Sequence, residues 1–132
     1  MGTINLSTSA HTQFIDITGQ LQKLVSDIKL TEGLCHIWVP HTTAGLTVNE
    51  NADPSVVEDI LKQLDRMVPR ENGYRHGEGN SAAHIKSSLM GCQLTVRIIG
   101  GRLQLGTWQG IYFCEFDGPR QRQVWMEFWS KS

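Results

Sequence analysis

The stretch QLTVRIIGGRLQLGTWQGIYFCEFDGPRQRQVWMEF, residues 93–128, decides the fold class. Leu94, Val96 and Ile98 alternate with Gln93, Thr95 and Arg97, the period-two pattern of a strand with one wet face. Ile111–Phe116 and Val124–Phe128 are two further strand candidates, and Asp117-Gly118-Pro119 between them is a turn signal. Immediately upstream, Asn80 as N-cap and Gly91 as stop bracket a short helix over Ser81–Met90. A polar loop, Arg70 to Asn80, separates it from an earlier helix. There Asp53 is the N-cap and Pro54 takes the first helical position, where a missing N–H costs nothing. Val56, Val57, Ile60, Leu61, Leu64 and Met67 form its apolar stripe, and Pro69 ends it. Farther back, Leu34–Val39 reads as a strand covered on both faces, followed by another at Gly45–Asn49. QFIDI at 13–17 alternates as a strand. Leu21, Leu24, Val25 and Ile28 then recur at helical spacing, with Thr18 as N-cap and Gly33 as stop. Strands cluster at both ends with helices between them, without regular βαβ alternation. The expectation is an α+β domain built on a mainly antiparallel sheet or sandwich.

The chain has 132 residues, which fits one domain over 1–132. Its 12 Lys+Arg against 13 Asp+Glu leave a net charge of −1, without the basic signature of a nucleic-acid binder. No apolar run approaches the roughly 20 residues needed to span a bilayer, and MGTINLSTSAHTQ shows no signal peptide. Cys35, Cys92 and Cys114 are odd in number and form no CxxC pair. They read as reduced thiols, so the expected compartment is cytoplasmic.

Several polar clusters interrupt the apolar pattern. His41, His76 and His84 lie in loop or helix-start positions, and three imidazoles suit an open zinc site. Their spacing does not choose between that and three unrelated histidines. The helix start at Ser81, with Lys86 one turn in, offers N–H groups and a cation to a phosphate. The alternative is a solvated Lys86. Glu50, Asp53, Glu115 and Asp117 could hold magnesium or move protons. Glu115 falls on the same strand face as Ile111 and Phe113, so it needs a partner, for which Arg120 and Arg122 are candidates. His36 reads as a satisfied core histidine, and Trp108 as a packing residue.

The segments HTTAGLTVNENADP (41–54), AHIKSSLMG (83–91) and GRLQLGTWQGIYFCEFDGPR (101–120) resemble the YjbQ-like family, over about Ser9 to Phe128. The resemblance implies two packed, mainly antiparallel sheets with flanking helices, assembled as a homotrimer. It also implies zinc, or another divalent cation such as magnesium, held by His41, His76 and His84 near a subunit boundary. The activity attached to the family is that of a secondary thiamine-phosphate synthase. It joins an aminopyrimidine methyl diphosphate to a thiazole phosphate and releases pyrophosphate. Carried onto this chain, the catalytic set is His84, Lys86 and Glu50. The substrate-binding set is Thr42, Thr43, Asn51, Ser87, Thr107, Trp108, Gln109 and Arg120. The alternative is a non-catalytic trimeric module binding zinc and a phosphorylated metabolite or a protein partner.

Overall fold

The computed structural model describes residues 2–131. Its elements are β1 (Gly2–Ser7), β2 (Gln13–Asp16), α1 (Thr18–Asp27), β3 (Glu32–Trp38), β4 (Ala44–Glu50), α2 (Pro54–Met67), α3 (Ser81–Met90), β5 (Gln93–Ile99), β6 (Arg102–Leu103), β7 (Gln109–Glu115) and β8 (Gln121–Ser130). All strand pairs are antiparallel. They form a five-stranded sheet in the order β1-β8-β3-β5-β6 and a three-stranded sheet in the order β2-β7-β4. The α+β class and the two packed sheets are therefore present.

The principal core lies between the two sheets, because each strand sends alternate side chains to one face. Cys35, Ile37, Val96, Ile98, Val124 and Met126 of the large sheet meet Leu46, Ile111 and Phe113 of the small one, with Leu21 and Val25 of α1 closing the layer. A second cluster lies on the other side of the small sheet, where Tyr112, Cys114 and Phe116 pack against Leu64 of α2 and Ala83 of α3. β7 is thus covered on both faces, which accounts for its unbroken apolar run. Burial raises the Cys35 thiol to about 11 and pushes the Cys114 thiol up as well, so both stay protonated.

Several local expectations change. β3 has only one covered face: Leu34, Trp38, Trp125 and Trp129 on the outer side of the large sheet stay 38–50% exposed. His36 belongs to that outer face, half-buried. It hydrogen-bonds Thr95 Oγ1 through Nδ1 and packs its ring near Trp129, so it is not a core residue. α1 stops at Asp27 rather than running toward Gly33, which leaves Ile28 exposed. Its N-cap is Ile17, not Thr18. The Asp16 carboxylate accepts the Thr18 N–H, and Thr18 Oγ1 accepts from the Ile111 N–H at 2.8 Å. α2 is capped as expected, with the Asp53 carboxylate accepting the Ser55 N–H at 2.9 Å, although Met67 lies outside the packed stripe at 61% exposure. β1 was not anticipated: Ile4 and Leu6 face the core while Thr3, Asn5 and Ser7 face out.

Candidate functional site

α2 and α3 lie side by side over the small sheet, and the loop 116–120 closes one end of the space between them. The cavity there holds about 470 Å³ and is lined by Asp65 near the end of α2, Arg70 just beyond it, Glu78 and Asn80 before α3, Lys86 within α3, Asp117 and Arg120 from the loop, and His11. α3 turns Ala82, Ala83, Lys86 and Ser87 inward, a four-residue spacing that puts a lysine among small side chains. Lys86 is only 5% exposed. A buried ammonium requires a charged partner, and Asp65 of α2 supplies it with a direct ion pair whose aspartate side remains open to the cavity. Lysine carries three N–H donors, and Asp65 accepts one of them.

The opposite wall is built from Asn80 and Asp117. Asn80 is the N-cap residue of α3, yet its side chain makes no cap bond. Its Nδ2 instead donates to Asp117 Oδ2 at 2.9 Å, and Arg120 Nη2 donates to the same oxygen at 3.0 Å. A carboxylate can only accept, so the amide nitrogen must face Asp117. Asn80 Oδ1 is left buried without a donor among the described residues. Burial pushes the Asp117 carboxyl up. The hydrogen bonds from Asn80 and Arg120, with the charges of Arg120 and His11, outweigh it and hold the carboxyl below its ordinary value.

Beneath this wall lies a buried network that pins both ends of the loop. Glu115 Oε1 accepts from the Thr8 hydroxyl at 2.7 Å and from Arg122 Nε at 2.8 Å, while Oε2 accepts the Asp117 N–H at 3.1 Å and a further bond from Arg122. Arg122 also donates to Thr43 Oγ1 at 2.8 Å. Of the two candidate partners for Glu115, Arg122 is the one in place. Burial raises the Glu115 carboxyl, and the bonds from Arg122, Thr8 and Asp117 bring it below its ordinary value.

The other expected residues fall elsewhere. His41, His84, Thr42, Ser87 and Cys92 line a separate groove on the far side of α3. The Ser87 hydroxyl donates to the Thr42 carbonyl at 2.6 Å, tying the helix to that loop. His76 and His84 stack edge-to-face with ring centres 5.3 Å apart. His41 uses Nε2 to accept the Gln123 N–H at 2.9 Å, and burial with the nearby Arg122 charge lowers its pKa. Glu50 and Gln109 pair at one end of β4 and β7, whereas Ala44 and Glu115 pair at the other. Six strand steps, about 20 Å, separate those ends. Glu50, Asn51, Thr107, Trp108 and Gln109 therefore do not join Lys86. Trp108 is 64% exposed, not packed, and its carbonyl accepts the Asn51 N–H. Asn51 Nδ2 donates to Asp16, and Gln109 Oε1 accepts the Gly106 N–H, so these side chains hold their own loop together. Of the candidate residues, Lys86 and Arg120 meet in the charged cavity. Asp65, Arg70 and Glu78 were missed, because sequence spacing does not show which exposed charges of α2 and the following loop face α3.

The family model described as UPF0047 protein YjbQ-like matches residues 2–131. The chain belongs to this family. A UPF0047 protein of Methanocaldococcus jannaschii is 49% identical over 92% of this chain and 88% of its own length. UPF0047 protein YugU of Bacillus subtilis is 48% identical over 95% of this chain and 96% of its own. A crystal structure of an uncharacterized conserved YjbQ/UPF0047 protein from Clostridium acetobutylicum matches with a TM-score of 0.95 and 51% identity, covering 98% of this chain and 100% of that one. A YbjQ-like protein of unknown function from Sulfolobus solfataricus matches with a TM-score of 0.94 at 30% identity, covering 98% of this chain and 96% of that one.

These findings overturn the metal-dependent thiamine-phosphate synthase reading. The YjbQ-like relatives bear UPF0047 names with no such activity in them. Among the described residues, no group of three or more His, Cys, Asp and Glu side chains is placed to hold a metal ion. The carried-over catalytic set is not assembled either: Glu50 sits at the far end of its strand from the cavity that holds Lys86, and His84 lines a different groove. No described helix is long and apolar enough to cross a membrane.

Proposed function

We propose that the cavity between α2, α3 and the 116–120 loop is the functional centre of the protein and binds a phosphorylated small molecule. The observation that carries this reading is Lys86, a nearly fully buried lysine lining an open polar cavity, paired among the described residues with Asp65 alone. Burying an ammonium this far is costly, and a purely structural pair would be better served by apolar packing. Arg70 and Arg120 line the same cavity and add the guanidinium donors that suit phosphate oxygens. Titration calorimetry with ethyl phosphate tests this. Wild type binds, and Lys86→Met loses at least ten-fold in affinity, while Lys86→Arg, which keeps the charge and the Asp65 pair, retains part of it. Equal affinity in Lys86→Met and wild type, both folded by their near-ultraviolet spectra, would remove the reading.

The homotrimer belongs to the same proposal. The exposed aromatic face of Trp38, Trp125 and Trp129 on the large sheet supports it. Contiguous apolar surface of this kind is characteristic of association surfaces.

A further inference from the structure

Charges of both signs share the cavity: Lys86, Arg70 and Arg120, with His11 beside Asp117, face Asp65, Glu78 and Asp117. Lys86 is paired with Asp65, and Arg120 with Asp117 at 3.0 Å. Arg70 and Glu78 are left facing the same cavity, and neither forms an ion pair among the described residues. A site built for a bare polyanion carries an excess of positive charge, since the ligand's own desolvation must be offset. Here a dianion drawn to Lys86 and Arg70 would also be repelled by Asp65 and Glu78.

We infer that the ligand is zwitterionic, a phosphorylated amine whose phosphate is held by Lys86 and Arg70 and whose ammonium is received by Glu78. This rests on the phosphorylated-ligand reading above and narrows it to a chemical class. An ammonium supplies positive charge and several N–H donors at once. It therefore answers the unpaired carboxylate, which a neutral or purely anionic ester does not.

The experiment is calorimetry on the full chain with two matched pairs of probes: O-phosphoethanolamine beside ethyl phosphate, and 3-aminopropyl phosphate beside propyl phosphate. The expected result is that at least one amine binds ten-fold or more tightly than its amine-free counterpart. In Glu78→Gln that ratio falls toward one, through weaker binding of the amine and, with the repulsion removed, equal or tighter binding of the alkyl phosphates. Glu78 is an exposed loop residue, so this variant folds. Equal wild-type affinities within both pairs would overturn the zwitterion and leave the phosphate site standing. A preference that survives in Glu78→Gln would overturn the role of Glu78. Failure of all four probes to bind would overturn both this inference and the reading on which it rests.

Discussion

Arg122 and Glu115 are buried at 6% and 0% exposure, and each satisfies the other while tethering Thr8, Thr43 and the Asp117 backbone. Removing one member of such a pair leaves an uncompensated buried charge. Arg122→Met is therefore expected to cost about 3–5 kcal/mol in urea unfolding. Lys23→Met, which breaks an exposed pair at 3.1 Å, is expected to cost under about 1 kcal/mol. The titrating groups set the acid limb. The His41 pKa is lowered from 6.5, so the stability it contributes is present above 6.5 and is lost as pH falls toward the lowered value. Glu115 and Asp117 are lowered from 4.5 and 3.8, so their contributions are present above those values and disappear below them. Urea midpoints measured from pH 8 down to 4 should show a first decline below 6.5 that is absent in His41→Gln, which keeps an acceptor for the Gln123 N–H but does not titrate. At this scale the buried carboxylate was legible, because Glu115 falls in phase with Ile111 and Phe113. Its choice of Arg122 over Arg120 was not, because that depends on the 116–120 loop turning Arg120 onto Asp117 while Arg122 of β8 faces inward.

At the scale of elements, the position of α3 against β4 controls the cavity. A Cβ on Gly45 would stand 2.6 Å from the Gly91 carbonyl oxygen and 3.1 Å from Met90 Cβ. The Leu46 N–H also bonds that same carbonyl, so the backbone is held close. Gly45→Ala is expected to cost about 1–3 kcal/mol by overpacking and to weaken phosphate binding by shifting Lys86. Unfolding and calorimetry on the same variant check both effects. The limits of α2 and α3 were readable because Asp53-Pro54, Asn80 and Gly91 are local signals. The exposed outer face of β3 was not readable. Whether an apolar strand is covered on both faces depends on a second layer that the strand's own residues do not specify. β1 escaped notice because only two inward residues carry its alternation.

Taken as a whole molecule, the fold stacks the large sheet, the small sheet and the α2–α3 layer, and it leaves the outer aromatic face uncovered. Sedimentation of the proposed trimer should show dissociation in Trp125→Arg, with phosphate binding by each subunit retained. A sharp trimer in that variant would move the interface elsewhere. The family and its α+β architecture were legible from motifs spread along the chain. The proposed functional centre was legible only in part. Lys86 and Arg120 stand out as residues, but Asp65 of α2 and Arg70 and Glu78 of the following loop join them only through tertiary folding, and His41, His76 and His84 lie outside that cavity. Chemical-shift mapping of ethyl phosphate on nitrogen-15-labelled protein tests the central claim most directly. The account predicts shifts concentrated at residues 65–70, 78–86 and 116–120. Shifts confined to the His41–His84 groove or to the Trp108 loop would contradict it.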